Sequence, residues 1–472
     1  MRDLDLFTDP WIPVVYADGR VGEVGVRQAL EDAGAIRDVC AEDPTLTVAL
    51  FRLLLAVAHR LCGPVDDGRW GDLYRGGLPL DALERIGAGR WRLLDPDRPF
   101  AQDPVEGTLN PVEKITAYGR AGGGGMTWAR PTALSPAEAA RWLVWCHAYD
   151  TGGIRGKHGG GREAGVPLGS VGRRTHTRLL GPDLGRTLLL NLAPGAEAPR
   201  GEGWWERTEP VTERRKDRSP AGMVDYLCWP SRRIRLVRDD DGMVRTVVVC
   251  AGDDLKSHPD PLIGRGQSAS ASHREVCARG LQFTVPGLYE DADAAPAVAG
   301  WLAARHHHVD GLIGVETTEM ITNLHGATVE DTTRREIALP ASALVPETAA
   351  HARLGRLVAM LKTAEDGIGE VTAKAYQRDR EPVAAGAARA AVDAARPQWE
   401  NDLRRLLRGG DDAERQAVDL FTAFVTDAAE QAMKVAAHET SNSHVVDLVG
   451  LVLWSSRRLC NEIAEIAEPA PA

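Results

Sequence analysis

The sequence is poor in the signatures that would place it in a familiar chemical class. Its seven cysteines are Cys40, Cys62, Cys146, Cys228, Cys250, Cys277 and Cys460, and no two have CxxC spacing. That excludes a zinc knuckle or dithiol redox motif, and an odd, scattered set fits a reducing compartment. No apolar run reaches the roughly 18 residues that a membrane span needs, and Met1 to Phe7 is too polar for a secretion signal. A cytoplasmic protein is expected. Catalytic motifs are missing too: there is no G-x-S-x-G, no H-E-x-x-H and no dinucleotide fingerprint in a βαβ context. Cys146 and His147 are adjacent on a predicted helix, so their side chains diverge and cannot act as nucleophile and base. His306, His307 and His308 diverge in the same way, so no metal site and no cofactor are expected. An excess of basic charge is also absent. The formal net charge of −11 excludes coating of nucleic acid by bulk electrostatics, so any such contact must lie on a local basic patch. An acidic body suits a subunit whose basic partners carry most of the backbone binding.

What is present is concentrated at residues 150–178. Gly152, Gly153, Gly156, Gly159, Gly160, Gly161 and Gly165 fall within fourteen positions. Arg155, Lys157, Arg162, Arg173, Arg174 and Arg178 accompany them against a single acid, Glu163. Glycine lets backbone approach a ligand closely, and Arg and Lys neutralise phosphate. Two readings stand: backbone N–H groups pressed against a polyanion, or a solvated surface loop. Gly156-Lys157 looks like the end of a phosphate-binding loop. Thr151 stands where that motif needs its first glycine, however, and His158 where it needs a hydroxyl, which argues against a nucleotide hydrolase.

Length predicts two or three domains. Residues 6–26 read as a hairpin around Asp18-Gly19. Asp43-Pro44 opens a helix whose apolar stripe is Leu50, Leu53, Leu54, Val57, Ala58 and Leu61, with Arg52, His59 and Arg60 off it and His59 at the surface. Pro- and Gly-rich sequence follows, and 117–131, with its four consecutive glycines, is expected to be a mobile loop ordered by a partner. Ser135-Pro136-Ala137-Glu138 is a capping box that opens a helix through Trp142 and Trp145. Leu188 to Leu192 reads as a buried strand, 200–220 as a polar linker around Trp204-Trp205, and Tyr226 to Val249 as strands turning at Asp239 to Gly242. From Pro346 the pattern becomes helical, with helices around 354–361, 383–408, 412–437 and from Ser443, the last carrying Val446, Val449, Val452, Leu453 and Leu459. The reading is α+β: a mixed domain at 1–343 and a four-helix bundle at 344–472.

In order along the chain stand Asp9-Pro10-Trp11-Ile12-Pro13-Val14, Leu53 to Ala56, Arg98-Pro99-Phe100-Ala101-Gln102, Asn110-Pro111-Val112-Glu113-Lys114, the 152–161 loop, Leu188 to Leu192 and Phe283 to Tyr289. With the terminal helices, these resemble the CasA family, the large subunit of the type I-E CRISPR surveillance complex Cascade. The resemblance implies an RNA-guided complex in which guide pairing reads the target while this subunit checks the adjacent motif on double-stranded DNA. It implies minor-groove reading by a glycine loop, here Gly152, Gly153, Ile154, Arg155, Gly156 and Lys157. It implies a basic finger on Arg279, with Arg274 second. It also implies a wedge at Asn323, Leu324, His325, Gly326 and Ala327, where Leu324 or His325 inserts. The 117–131 loop, with Tyr118, Arg120, Gly123, Met126, Trp128 and Arg130, is implied to meet the guide RNA and a backbone subunit. The bundle is implied to meet small subunits and to position the recruited helicase–nuclease. Some members carry cysteine pairs with metal-site spacing; this chain has none, and no zinc is expected. The competing readings are a stand-alone hydrolase or transferase with a glycine-rich ligand pocket, and a scaffold without nucleic-acid contact.

Overall fold

The structure, a computed structural model, describes residues 3–121, 131–172, 174–192, 201–255, 309, 311–323, 325–344, 348–374, 387, 391, 405–406, 412–439 and 442–467. The chain divides into two compact units, Met1–His308 with Gly314–Glu336, and Val309–Ile313 with Ile337–Ala472.

In the first unit, strands β1 (Ile12–Tyr16) and β2 (Val21–Val24) pair antiparallel, with Ile12 opposite Val24. Asp18 stabilises the turn by accepting from the Arg20 N–H, as the Asp-Gly signal predicts. Helix α1 (Val26–Glu31) leads to β3 (Ile36–Val39), which adds to β1 and gives the order β2-β1-β3. Helix α2 (Pro44–Cys62) starts where expected. The Asp43 carboxylate accepts from the Thr45 and Leu46 N–H groups, and Pro44 fills the first turn.

A one-sided stripe does not describe α2. Every residue except Pro44 and Arg60 is buried, because neighbours cover it on all sides. His59 is therefore a core residue and not a surface one. Burial, reinforced by Arg60, pushes its pKa down to about 4. Arg52, also buried, donates to the Tyr226 carbonyl and lies 4.7 Å over that ring. By length and composition α2 is apolar enough to cross a membrane, contrary to the expectation, but 94% of its most apolar window is buried inside the protein. It is a core helix.

Helices α3 (Asp67–Gly76) and α4 (Leu83–Gly87) precede β4 (Asn110–Pro111) and the 3-10 turn Val112–Ile115. Helix α5 (Pro136–Tyr149) begins with the expected capping box, and its Trp145 donates to Thr45 Oγ1 at 2.8 Å, fixing α5 on α2. Beyond it come β5 (Gly153–Gly156), β6 (Arg162–Val166), β7 (His176–Leu180), α6 (Leu184–Leu190), α7 (Met223–Leu227), β8 (Arg232–Arg238) and β9 (Val244–Ala251). The strand expected at 188–192 is thus mostly helix. Its apolar run is too short for periodicity to decide, and Asp183 caps it by accepting from the Arg186 N–H. Likewise, Tyr226 ends a short helix rather than starting a strand.

Strands β4, β9, β5 and β6 form one sheet in that order, with β8 also on β9. Here β5 meets β9 in parallel at Gly156 and Cys250. Residues 204–205 are no polar linker. Trp205 stacks on Trp91 at 5.1 Å, and Trp204 packs against Phe100 and His147. Two long strands absent from the sequence reading, β10 (Leu312–Thr322) and β11 (Val329–Pro340), make a third sheet, β11-β10-β7.

In the second unit, helices α8 (Ala349–Lys374), α9 (Ala413–Glu439) and α10 (Asn442–Ala467) pack on one another. Their shared core holds Leu357, Ile368, Phe421, Val425, Val452 and Ile463. Leu453, expected on the core stripe, is exposed. The helix expected at 383–408 lies outside the described residues apart from isolated positions, so the bundle is described by these three.

Candidate nucleic-acid interface

Helix α5 ends at Asp150, whose carboxylate is fully buried. Three guanidiniums from three separate segments converge on it. Arg120 lies 2.8 Å away, Arg155 on β5 3.0 Å and Arg232 on β8 2.5 Å. Burial alone would raise the Asp150 pKa, but the three cations outweigh it and hold the carboxyl well below the usual range. Arg155 also donates to the Thr151 carbonyl, and Arg232 donates to the Thr151 and Pro167 carbonyls at 2.8 Å each. The start of the glycine stretch is therefore clamped, not loose.

From this anchor β5 and β6 run out as a hairpin closed by Lys157 to Gly161. The Gly160 N–H donates to the Lys157 carbonyl, and the Gly159 N–H to the Glu106 carbonyl. The stretch expected to be a loop is thus a sheet hairpin with a glycine turn. At Gly156 a side chain would crowd the structure's own sheet, since an added Cβ would lie 3.0 Å from the Val249 carbonyl oxygen, which would have to give by a few tenths of an ångström. Gly153 faces open space but adopts a φ of +111°, which suits glycine. Arg214 secures the outer strand by pairing with Glu163 at 2.9 Å and Asp254 at 2.7 Å.

A second segment meets the hairpin. Between β10 and β11 the chain turns at 323–328, where Asn323 Oδ1 accepts from the Ala327 N–H at 2.8 Å. The Gly152 N–H donates to the Gly326 carbonyl at 2.8 Å. The expected glycine loop and the expected wedge, 174 positions apart in sequence, are joined main chain to main chain. Ile154 is 58% exposed, and Lys157, His325 and Ala327 are exposed as well.

Several sequence expectations need correcting. Arg155 is not a free phosphate ligand, because it is buried and committed to Asp150. Arg178 is buried against Asp38 and Glu316, each within 3 Å, and cannot reach a ligand. Tyr118 and Arg120 do not belong to a loose loop: Tyr118 packs edge-on against Trp142 at 5.2 Å, and Arg120 faces Asp150. Gly123, Met126, Trp128, Arg130, Arg274, Arg279 and Leu324 lie outside the described residues, as do Phe283 to Tyr289 and the three adjacent histidines. The sequence reading assigned no role to Asp150, Arg232 or Lys114. The available signal was an acid at a helix end, directly before glycines and amid many arginines. Among the described residues no group of three or more His, Cys, Asp or Glu could hold a metal ion.

The family model for the CRISPR-associated protein Cse1 matches residues 5–440. The chain belongs to the Cse1 family. A CasA/Cse1 protein of Thermus thermophilus is 31% identical over 290 residues, so the match spans 58% of this chain and little more than half, 57%, of that relative. The fold is that of Thermobifida fusca Cse1, with a TM-score of 0.81 at 24% identity over 98% of each chain. It is also that of a chain in a CRISPR RNA-guided surveillance complex, with a TM-score of 0.72 at 17% identity over 98% of this chain and all of that one. This Cse1 member shares with them its mixed α+β architecture and its C-terminal helices.

Proposed function

We propose that this Cse1-family chain is the large subunit of an RNA-guided CRISPR antiviral surveillance complex working in the cytoplasm. In this reading the β5–β6 hairpin and the 323–327 turn recognise the motif beside the target in double-stranded DNA. The observation that carries it is the Gly152–Gly326 main-chain hydrogen bond, which fastens the 323–327 turn to the base of the hairpin, two residues from the exposed Ile154. The minor groove is only about 6 Å wide, and a turn built on Gly159, Gly160 and Gly161 is slim enough to enter it. The groove's degenerate donor pattern predicts tolerance of several motifs. The neighbouring turn presents His325, a flat side chain able to part a base step and start R-loop formation.

Arg279 and Arg274 supply the basic finger, and the 122–130 segment, with Gly123, Met126, Trp128 and Arg130, meets the guide RNA and a backbone subunit. The domain from 344 onward meets the small subunits and helps to position the helicase–nuclease. No catalytic step, metal or cofactor is assigned to this chain.

The test is to assemble the chain with guide RNA and partner subunits and measure duplex binding with and without the adjacent motif. Ile154→Asp is the informative change, since that side chain is exposed and its loss leaves the sheet intact. A charged side chain there resists burial against base edges, so the base contacts are lost and the preference for the motif is expected to collapse towards a ratio of one. An unchanged preference, or a chain that does not join the complex, overturns the reading. A change at Gly156 is less informative, because it crowds the Val249 carbonyl and perturbs the sheet as well as the groove contact.

A further inference from the structure

Beside the hairpin lies a cleft of about 290 Å³ whose lining includes Lys114, Arg120, Arg155, Lys157 and Arg162. Among the described residues, no acidic side chain lines it. Its back wall is charged by the Asp150 cluster. Three guanidiniums share one carboxylate there, so two positive charges stand uncompensated, and among the described residues none of the three forms an ion pair with a second acid. Arg120 and Arg155 belong to both the cluster and the cleft. At the mouth, Lys114, Lys157 and Arg162 form no ion pair among the described residues. The one nearby hairpin carboxylate, Glu163, is taken by Arg214 and Lys216. The Asn110 side chain and the Gly156 and Gly161 backbone add polar lining.

An excess of buried positive charge beneath unpaired surface cations is costly unless an anion completes it. We infer that this cleft binds a backbone phosphodiester of nucleic acid: Lys114, Lys157 and Arg162 engage the phosphate oxygens, and the Asp150 cluster supplies the field behind them. The inference rests on the reading of the chain as a nucleic-acid-binding subunit. It assigns the affinity, independent of sequence, to the cleft and leaves discrimination to the hairpin tip. Arg120 and Arg155 charge the cleft while held in place, so they preorganise the site and do not reach out of it.

The experiment uses the assembled complex and compares wild type with Lys114→Gln/Arg162→Gln, two residues whose side chains hold no fold-forming ion pair. Binding of duplexes with and without the motif is measured across a salt series, together with guide-RNA retention over the same series. Both duplexes are expected to weaken by the same factor. The slope of log affinity against log salt should fall by about two, as for two lost phosphate contacts, with the motif preference unchanged. If the duplex slope holds and guide-RNA retention instead becomes salt-sensitive, the phosphate is the RNA's and the site still stands. If neither responds, the site is refuted, even where Ile154→Asp abolishes the motif preference. A normal slope loss with no effect of Ile154→Asp would instead keep the cleft and remove the motif reading.

Discussion

Two buried arginine clusters in the first unit differ in their balance of charge. Around Arg178, two cations meet two anions: Arg178 pairs with Asp38 and Glu316, and Arg334 reaches Glu316 at 2.6 Å. Around Asp150, three cations meet one anion. The first cluster is closed. Its charges satisfy one another between β3, β7 and β10, and its Arg178 lies over the Phe51 ring at 4.8 Å. The second is open on the side of the cleft. A closed cluster specifies how elements pack, whereas an open one also leaves a field at the surface that another molecule can use.

Removing the hub of each cluster is the most severe way to test this contrast. Asp150→Asn leaves three buried guanidiniums without a carboxylate and should destabilise the first unit by about 4 kcal/mol, read by chemical denaturation. The hairpin should lose protection from hydrogen exchange at the same time. Arg178→Met should cost somewhat less, about 3 kcal/mol, because Arg334 stays with Glu316. It should leave nucleic-acid binding by the folded fraction unchanged. If both variants altered the salt dependence of binding alike, the distinction between closed and open clusters would fail.

Acid provides the mildest test. The Asp150 and Glu316 pKa values are both depressed: burial opposes ionisation in each, and the facing arginines overcome it. Their contribution is complete above the unfolded carboxyl value of about 4 and is lost only as pH falls below that. The buried histidines behave differently. Burial first, then Arg60, lowers the pKa of His59 to about 4, while burial, aided by nearby arginines, brings His147 to about 3 despite its bond to the Ala101 carbonyl. The unfolded chain takes up protons near pH 6.5 where the folded chain does not, so stability should fall from pH 6.5 towards 4. Both clusters should remain intact over that range. In a pH series of unfolding midpoints, His147→Gln should flatten this limb and Asp150→Asn should leave its slope unchanged.

Local signals in the sequence were legible where one residue acts on its own neighbours. Asp18-Gly19 turned the hairpin, Asp43 and Ser135 capped their helices, and the spacing of Leu354, Leu357 and Leu361 marked α8. The ordered motifs also pointed to the right family, which Trp11 and the segments after it carried. Pairing across the chain was not legible. The acid at the end of α5 was visible, but not that it consumes the charge of Arg155, and nothing at Trp205 announces a stack on Trp91, more than a hundred positions earlier. The all-round burial of α2 defeated the stripe that its leucines suggested, and the short Leu188 run could not show its period without Asp183. Counting cations in the glycine stretch therefore overstated its free charge at Arg155 and Arg178, while Lys114, a cleft cation outside that stretch, was left unassigned.

The joint between Gly152 and Gly326 is made entirely by an N–H and a carbonyl. Neither partner has a side chain at this joint for mutation to erase, so the fastening is insulated from drift in the residues it carries. Ile154, Lys157, His325 and Ala327 can be exchanged one at a time while their relative placement persists. Such a joint separates what is held constant from what is free to vary.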